Sequence, residues 1–73
     1  KVTLTNEETE MLLEAIRMLP ADKQELLILK FVEKLSNKEI GNTMRRSEGA
    51  IKSLYHRTLL KLRQNLNNKM SDQ

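Results

Sequence analysis

The 73-residue sequence contains no cysteine and no tryptophan, only one proline and two glycines, and two aromatic side chains, Phe31 and Tyr55. Without cysteine there is no disulfide framework, no thiolate metal site and no cysteine nucleophile, which suits a chain working in the cytoplasm. Such scarcity of turn formers and aromatics leaves little from which to build strands and hairpins. The longest uninterrupted apolar run, Leu26–Leu29, is far below the roughly 20 residues that cross a bilayer, and no signal-peptide pattern opens the chain, so no membrane partner is expected. His56 is the sole histidine, so a metal site would need carboxylates or a partner beside it. Ser53 and His56 lack the acid and the pocket that a nucleophile and base require. No metal, cofactor, small-molecule substrate or catalytic residue is therefore expected.

What remains is rich in Leu, Ile, Met, Lys, Glu and Arg, the residues of helices. The length allows one domain, spanning 1–73, with a small core. The start at Lys1, with no initiator Met, is expected of a piece of something longer.

Charge is unevenly distributed. Residues 1–35 carry five Lys/Arg against seven Asp/Glu, a balance of −2, whereas residues 36–73 carry eight against three, a balance of +5. A polyanion contacting the second half is the natural partner of such a chain.

Four helices are predicted. Thr5 or Asn6 caps the first, with Glu7, Glu8 and Glu10 in the turn where the helix dipole favours negative charge. Its inward stripe is Leu12, Ile16 and Leu19, and Pro20 ends it. The second runs from Pro20 to Lys34, with Leu27, Phe31 and Leu35 at four-residue spacing. Leu26, Ile28 and Val32 widen that stripe, so the helix is expected to be largely buried. Ser36 and Glu39 form a capping box opening a short third helix, from which Ile40 and Met44 point inward. Gly41 between them predicts the close approach of another helix. Arg45 and Arg46 make the turn, and Ser47 caps the fourth helix. At 100° per residue, Ile51, Leu54, Tyr55, Thr58, Leu59, Leu62 and Leu66 share its core face. Leu60 falls on the polar side without an evident reason, and residues 67–73 are expected to fray.

The expected class is all-α, a small four-helix helix-turn-helix domain of the winged-helix-like DNA-binding kind without a wing. A short helix, a tight turn and a longer helix with a polar first half can place that longer helix in the major groove, where each base pair presents a distinct hydrogen-bonding pattern. Lys52, Ser53, His56 and Arg57 lie at i, i+1, i+4 and i+5 and share one surface. Arg57 is the candidate for guanine, since its planar fork donates two bonds to one base edge. Lys52 can read a base or hold a phosphate, and Ser53 and His56 are adaptable donors. Gly49 and Ala50 are small enough to let the helix N-terminus approach a phosphate. Lys38, Arg45 and Arg46 are candidate phosphate contacts that fix the register.

The stretch from Leu19 to Leu66, LPADKQELLILKFVEKLSNKEIGNTMRRSEGAIKSLYHRTLLKLRQNL, resembles region four of the extracytoplasmic-function sigma factors of the sigma-70 family. The resemblance is carried by Leu19-Pro20, Leu35-Ser36, Glu39-Ile40, the run from Ser47 to Ser53 and His56-Arg57. Departures are Gly41 for a usual alanine, Arg45 for a common turn glycine, Arg46 for an apolar residue, and Leu54 where arginine is frequent. The resemblance implies a transcription-initiation module that binds double-stranded promoter DNA at the −35 element and docks on the β-subunit flap of RNA polymerase through its first helices. It also implies a possible anti-sigma factor covering these surfaces. Two alternatives are the DNA-binding domain of a LuxR-type regulator, which shares the capping serine and the Glu-Ile pair, and a helix-turn-helix relative that serves purely as a protein-interaction module.

Overall fold

A computed structural model describes residues 5–71 and their side chains as far as Asn68. Thr5 opens the first helix, α1 (Asn6–Arg17), through a reciprocal capping box. Its hydroxyl accepts from the Glu8 amide at 3.1 Å, and Glu8 Oε1 accepts from the Thr5 amide at 3.0 Å. Of the two candidate caps it is Thr5 that serves. Leu19 is buried beyond the helix end, while Ala15 is the one fully buried residue within α1 and Leu12 and Ile16 are half-buried.

Pro20 turns the chain into α2 (Ala21–Leu27), its carbonyl accepting from the amides of Lys23 and Gln24 at 3.1 Å each. The predicted helix to Lys34 then changes character. Ile28–Val32 is π-helical, and the Glu33 amide reaches back five residues to the Ile28 carbonyl at 3.0 Å. The extra residue per turn breaks the expected stripe. Lys34 adopts a left-handed conformation at φ 58°, and the Leu35 amide bonds the Leu29 carbonyl at 3.0 Å. Leu29 and Leu35 thereby pack on the core, while Ile28, Phe31 and Val32 are 52, 57 and 70% exposed. The expectation that this helix is largely buried is thus overturned for its second half: at about 100° per residue, Ile28, Phe31 and Val32 all fall on the side of the helix away from the buried Leu26.

Ser36 and Glu39 form the predicted capping box of α3 (Asn37–Met44), with bonds of 2.8 and 3.1 Å. After the turn comes α4 (Glu48–Ser71), whose 24 residues account for the longest molecular dimension of 40 Å. It continues as helix through residues 67–71, where fraying was expected. No glycine or proline follows Gly49 to interrupt its hydrogen bonds. Residues 72 and 73 lie outside the described part.

The core is Leu26, Ile40, Ile51 and Leu54, with Leu29, Leu35, Met44 and Tyr55 packed against it. Each fully buried aliphatic side chain supplies about 1.5–3 kcal/mol. The four come from α2, α3 and α4, so the helix-turn-helix unit is held on the inner face of α2. No helix of the described residues is long and apolar enough to cross a membrane.

Candidate nucleic-acid interface

The turn between α3 and α4 is made by backbone geometry. Arg45 sits in the left-handed region at φ 59°, and the Arg46 amide donates to the Gly41 carbonyl at 2.8 Å, a common way of closing a helix end. A Cβ on Gly41 would lie 2.5 Å from the Arg46 carbonyl oxygen. The glycine is therefore needed for a close approach, as expected, but what approaches is the backbone of the turn and not another helix. The left-handed site has fallen to an arginine, although glycine suits it better.

Ser47 then opens α4. Its Oγ accepts from the Ala50 amide at 3.1 Å, and its carbonyl accepts from the Ile51 amide at 3.0 Å. From this start the helix divides cleanly. Ile51, Leu54 and Thr58 are buried, and the Thr58 hydroxyl bonds back to the Leu54 carbonyl at 2.7 Å. Lys52, Ser53, His56 and Arg57 are all exposed and form one edge along the first half of the helix. Leu54 is 1% exposed and belongs to the core.

Arg57 Nε reaches the Ser53 carbonyl at 3.4 Å, which lays the side chain along the helix. Among the described residues, neither Lys52 nor Arg57 has a carboxylate within ion-pair distance, so their charges face solvent. Gly49 has no atom within 4 Å of the place a Cβ would occupy, so nothing inside the domain requires glycine there. Ala50 beside it is half-buried.

The flanking cations divide. Lys38 and Arg45 are exposed, at the start and end of α3. Arg46, expected beside them as a phosphate contact, pairs with Asp22 of α2 at 3.5 Å. Both partners are more than a third exposed, so the pair contributes little stability, but it does give Arg46 an ion-pair partner that, among the described residues, Lys38 and Arg45 lack. At the start of α3, Glu39 is held below the usual carboxylate range by its bonds from the Ser36 backbone and side chain, and Thr5 does the same to Glu8. Both carboxylates stay ionised where a helix dipole favours negative charge.

A second feature lies outside the polar edge. An apolar groove of about 530 Å³ runs between α1, the π turn and α4. Leu13 of α1, Ile28, Phe31 and Val32 of the π turn, and Leu59 of α4 line it while remaining 41–70% exposed. Leu59 was expected in the core. It is uncovered because α4 at this height faces the groove instead of another helix. Leu60 is 47% exposed, in keeping with its place on the polar side. Sequence reasoning did not find this groove, since it took Ile28, Phe31, Val32 and Leu59 as core.

The family model described as sigma-70, region 4, matches residues 9–62, which span α1 from Thr9 to the middle of α4. Among curated proteins none matches the chain.

Proposed function

The chain belongs to the sigma-70 region 4 family, and we propose that it reads promoter DNA through the edge of α4 formed by Lys52, Ser53, His56 and Arg57. Recognition of the −35 promoter element and binding of RNA polymerase are the activities of this family's domain, and they favour this reading over a LuxR-type regulator or a purely protein-binding relative. The observation carrying the assignment of residues is the division of α4. Four polar side chains share one exposed edge, while Ile51, Leu54 and Thr58 behind them are buried.

Arg57 donates its fork to a guanine, and Lys52 contacts a base or an adjacent phosphate. Ser53 and His56 complete the edge. The N-terminus of α4 meets a phosphate over Gly49 and Ala50. Lys38 and Arg45 set the register on the backbone, with Arg46 free to join them only by leaving Asp22.

The apolar groove is the docking site for the flap of the polymerase β subunit. In a monomeric soluble domain, exposed apolar side chains clustered in one groove mark an interface. An anti-sigma factor acts by covering the same surfaces. The motif strings around Leu19-Pro20, Glu39-Ile40 and Ser47–Ser53 support placement in the extracytoplasmic-function group. On this reading the chain has no catalytic role and works in the cytoplasm, where its polymerase and DNA are.

The test is selection of duplexes from a randomised pool, followed by binding of the winning duplex to the parent chain and to a Lys52→Ala, Arg57→Ala double variant. Retained folding with binding reduced by about 1–3 kcal/mol per lost base contact is expected. Unchanged binding would remove the assignment. Parent binding should also weaken with salt at about −0.9 in log–log slope per neutralised phosphate.

A further inference from the structure

Lys30 lies outside the polar edge, in the π turn, half-buried. Its Nζ donates to Asn37 Oδ1 at 3.1 Å and stands 4.8 Å from the centre of the Tyr55 ring. Asn37 is the first residue of α3 and Tyr55 lies in the second turn of α4. One ammonium therefore touches both helices of the helix-turn-helix unit. No carboxylate among the described residues lies within ion-pair distance of it.

Helix dipoles do not decide the role of this cation: it stands at the unfavourable positive end of α3, but also in the last turn of its own helix, where a cation is favoured. What the arrangement does supply is direction. Near the turn, α3 and α4 meet through Ile40, Ile51 and Leu54, apolar contacts whose attraction is itself non-directional. Lys30 acts at the end of α3 remote from the turn. A hydrogen bond and a cation–π contact there are both geometrically exacting. Phe31, the next residue, holds the same Tyr55 ring from the groove side, with centroids 6.2 Å apart.

We propose that Lys30 is a positioning residue for DNA recognition, clamping Asn37 to Tyr55 and so setting the angle at which α4 is presented relative to α3. The proposal rests on the reading of α4 given above. Recognition tolerates errors of roughly 10–20° in the placement of its groups. An opening at Asn37 moves Lys38 away from the edge carried by Lys52 and Arg57, so that phosphate and base contacts no longer form together. Lys30 itself makes no contact with DNA.

The experiment compares the parent chain with Lys30→Met, Lys30→Arg and Asn37→Ala, using the duplex selected from the randomised pool and titrating salt. Lys30→Met is expected to weaken binding by about threefold to tenfold, the scale of losing a charged hydrogen bond with its ring contact, with the salt slope unchanged. Lys30→Arg should restore most of the affinity, because a guanidinium can donate to the amide and stack on the ring. A slope smaller by about 0.9 in Lys30→Met means a direct phosphate contact and overturns the proposal. So does unchanged affinity. Should Lys30→Met fail to fold, Asn37→Ala decides on affinity alone: weaker binding by a folded domain supports the clamp, and full binding removes it. Lys52→Ala, Arg57→Ala serves as the control. If that variant also binds fully, the reading of α4 has failed, and if it alone binds weakly, only the role of Lys30 has.

Discussion

Asn65 Nδ2 donates a hydrogen bond of 3.1 Å to the carbonyl oxygen of Ala15, fifty positions earlier in the chain. Both residues are buried. The Leu19 amide, which a continuing helix would direct to Ala15, goes instead to the Ile16 carbonyl at 3.0 Å. The Ala15 carbonyl therefore needs a donor from elsewhere. Gln24 serves the same helix end from α2, its Nε2 donating to Arg17 and Leu19 carbonyls at 3.1 and 2.8 Å. Two side-chain amides thus finish α1.

Replacing Asn65 by Leu leaves the Ala15 carbonyl buried without a partner, at a cost of about 1–3 kcal/mol. Asn65→Asp should cost at least as much, since an ionised carboxylate cannot donate. Urea midpoints measure both, and a Leu variant as stable as the parent would show that water reaches the site.

The turn before α4 makes opposite predictions for two neighbouring positions. Arg45→Gly removes a left-handed non-glycine residue and should stabilise the domain by about 0.5–1 kcal/mol, after allowing for the greater freedom of glycine in the unfolded chain. Gly41→Ala forces a methyl to within 2.5 Å of the Arg46 carbonyl oxygen. It should destabilise by about 1–3 kcal/mol. Thermal melts of the two variants should move in opposite directions.

Gly49→Ala meets no neighbour and fills a helical position, so it should raise stability by about 0.5–1 kcal/mol. If α4 presses its first turn on a phosphate, the added methyl weakens DNA binding in a more stable protein. Calorimetry and a binding titration on the same sample would reveal that reversal.

Ile28→Ser with Val32→Ser tests the groove without touching the Phe31–Tyr55 contact. Both parent side chains are more than half exposed, so the pair should change stability little while abolishing capture of core RNA polymerase by immobilised chain. DNA affinity of the isolated domain provides the internal comparison.

Acid should weaken the start of α3. Glu39 has a folded-state pKa below its unfolded one, because the Ser36 backbone and hydroxyl bond its charged form. The unfolded chain then binds the proton first. The stabilisation is complete above the ordinary carboxylate range and is lost as pH falls through the folded value. Between about pH 6 and about pH 3, the stability of the parent should decline toward that of Glu39→Gln, closing any gap between them.

Several features were legible because they depend on near neighbours. The capping pairs Thr5–Glu8 and Ser36–Glu39, the corner at Pro20 and the cap at Ser47 each involve residues within four positions of one another. The polar edge of α4 was legible for the same reason, since helical periodicity alone places Lys52, Ser53, His56 and Arg57 together. The π turn was not, because Leu27, Phe31 and Leu35 fit an α-helical stripe and nothing local announces the inserted residue. The Asp22–Arg46 pair and the Lys30 clamp join segments whose meeting no periodicity foretells.

The sequence by itself determined where helices begin, which residues share a face and where charge accumulates, since those follow from bonds and angles within one or two turns. Only tertiary structure decided which apolar faces find a partner. It buried Ala15 and Asn65, left Phe31 and Val32 bare over a groove, and set the backbone of Arg46 against Gly41. Burial depends on what other segments bring to a face, and four helices supply too few surfaces to cover every apolar stripe the chain presents.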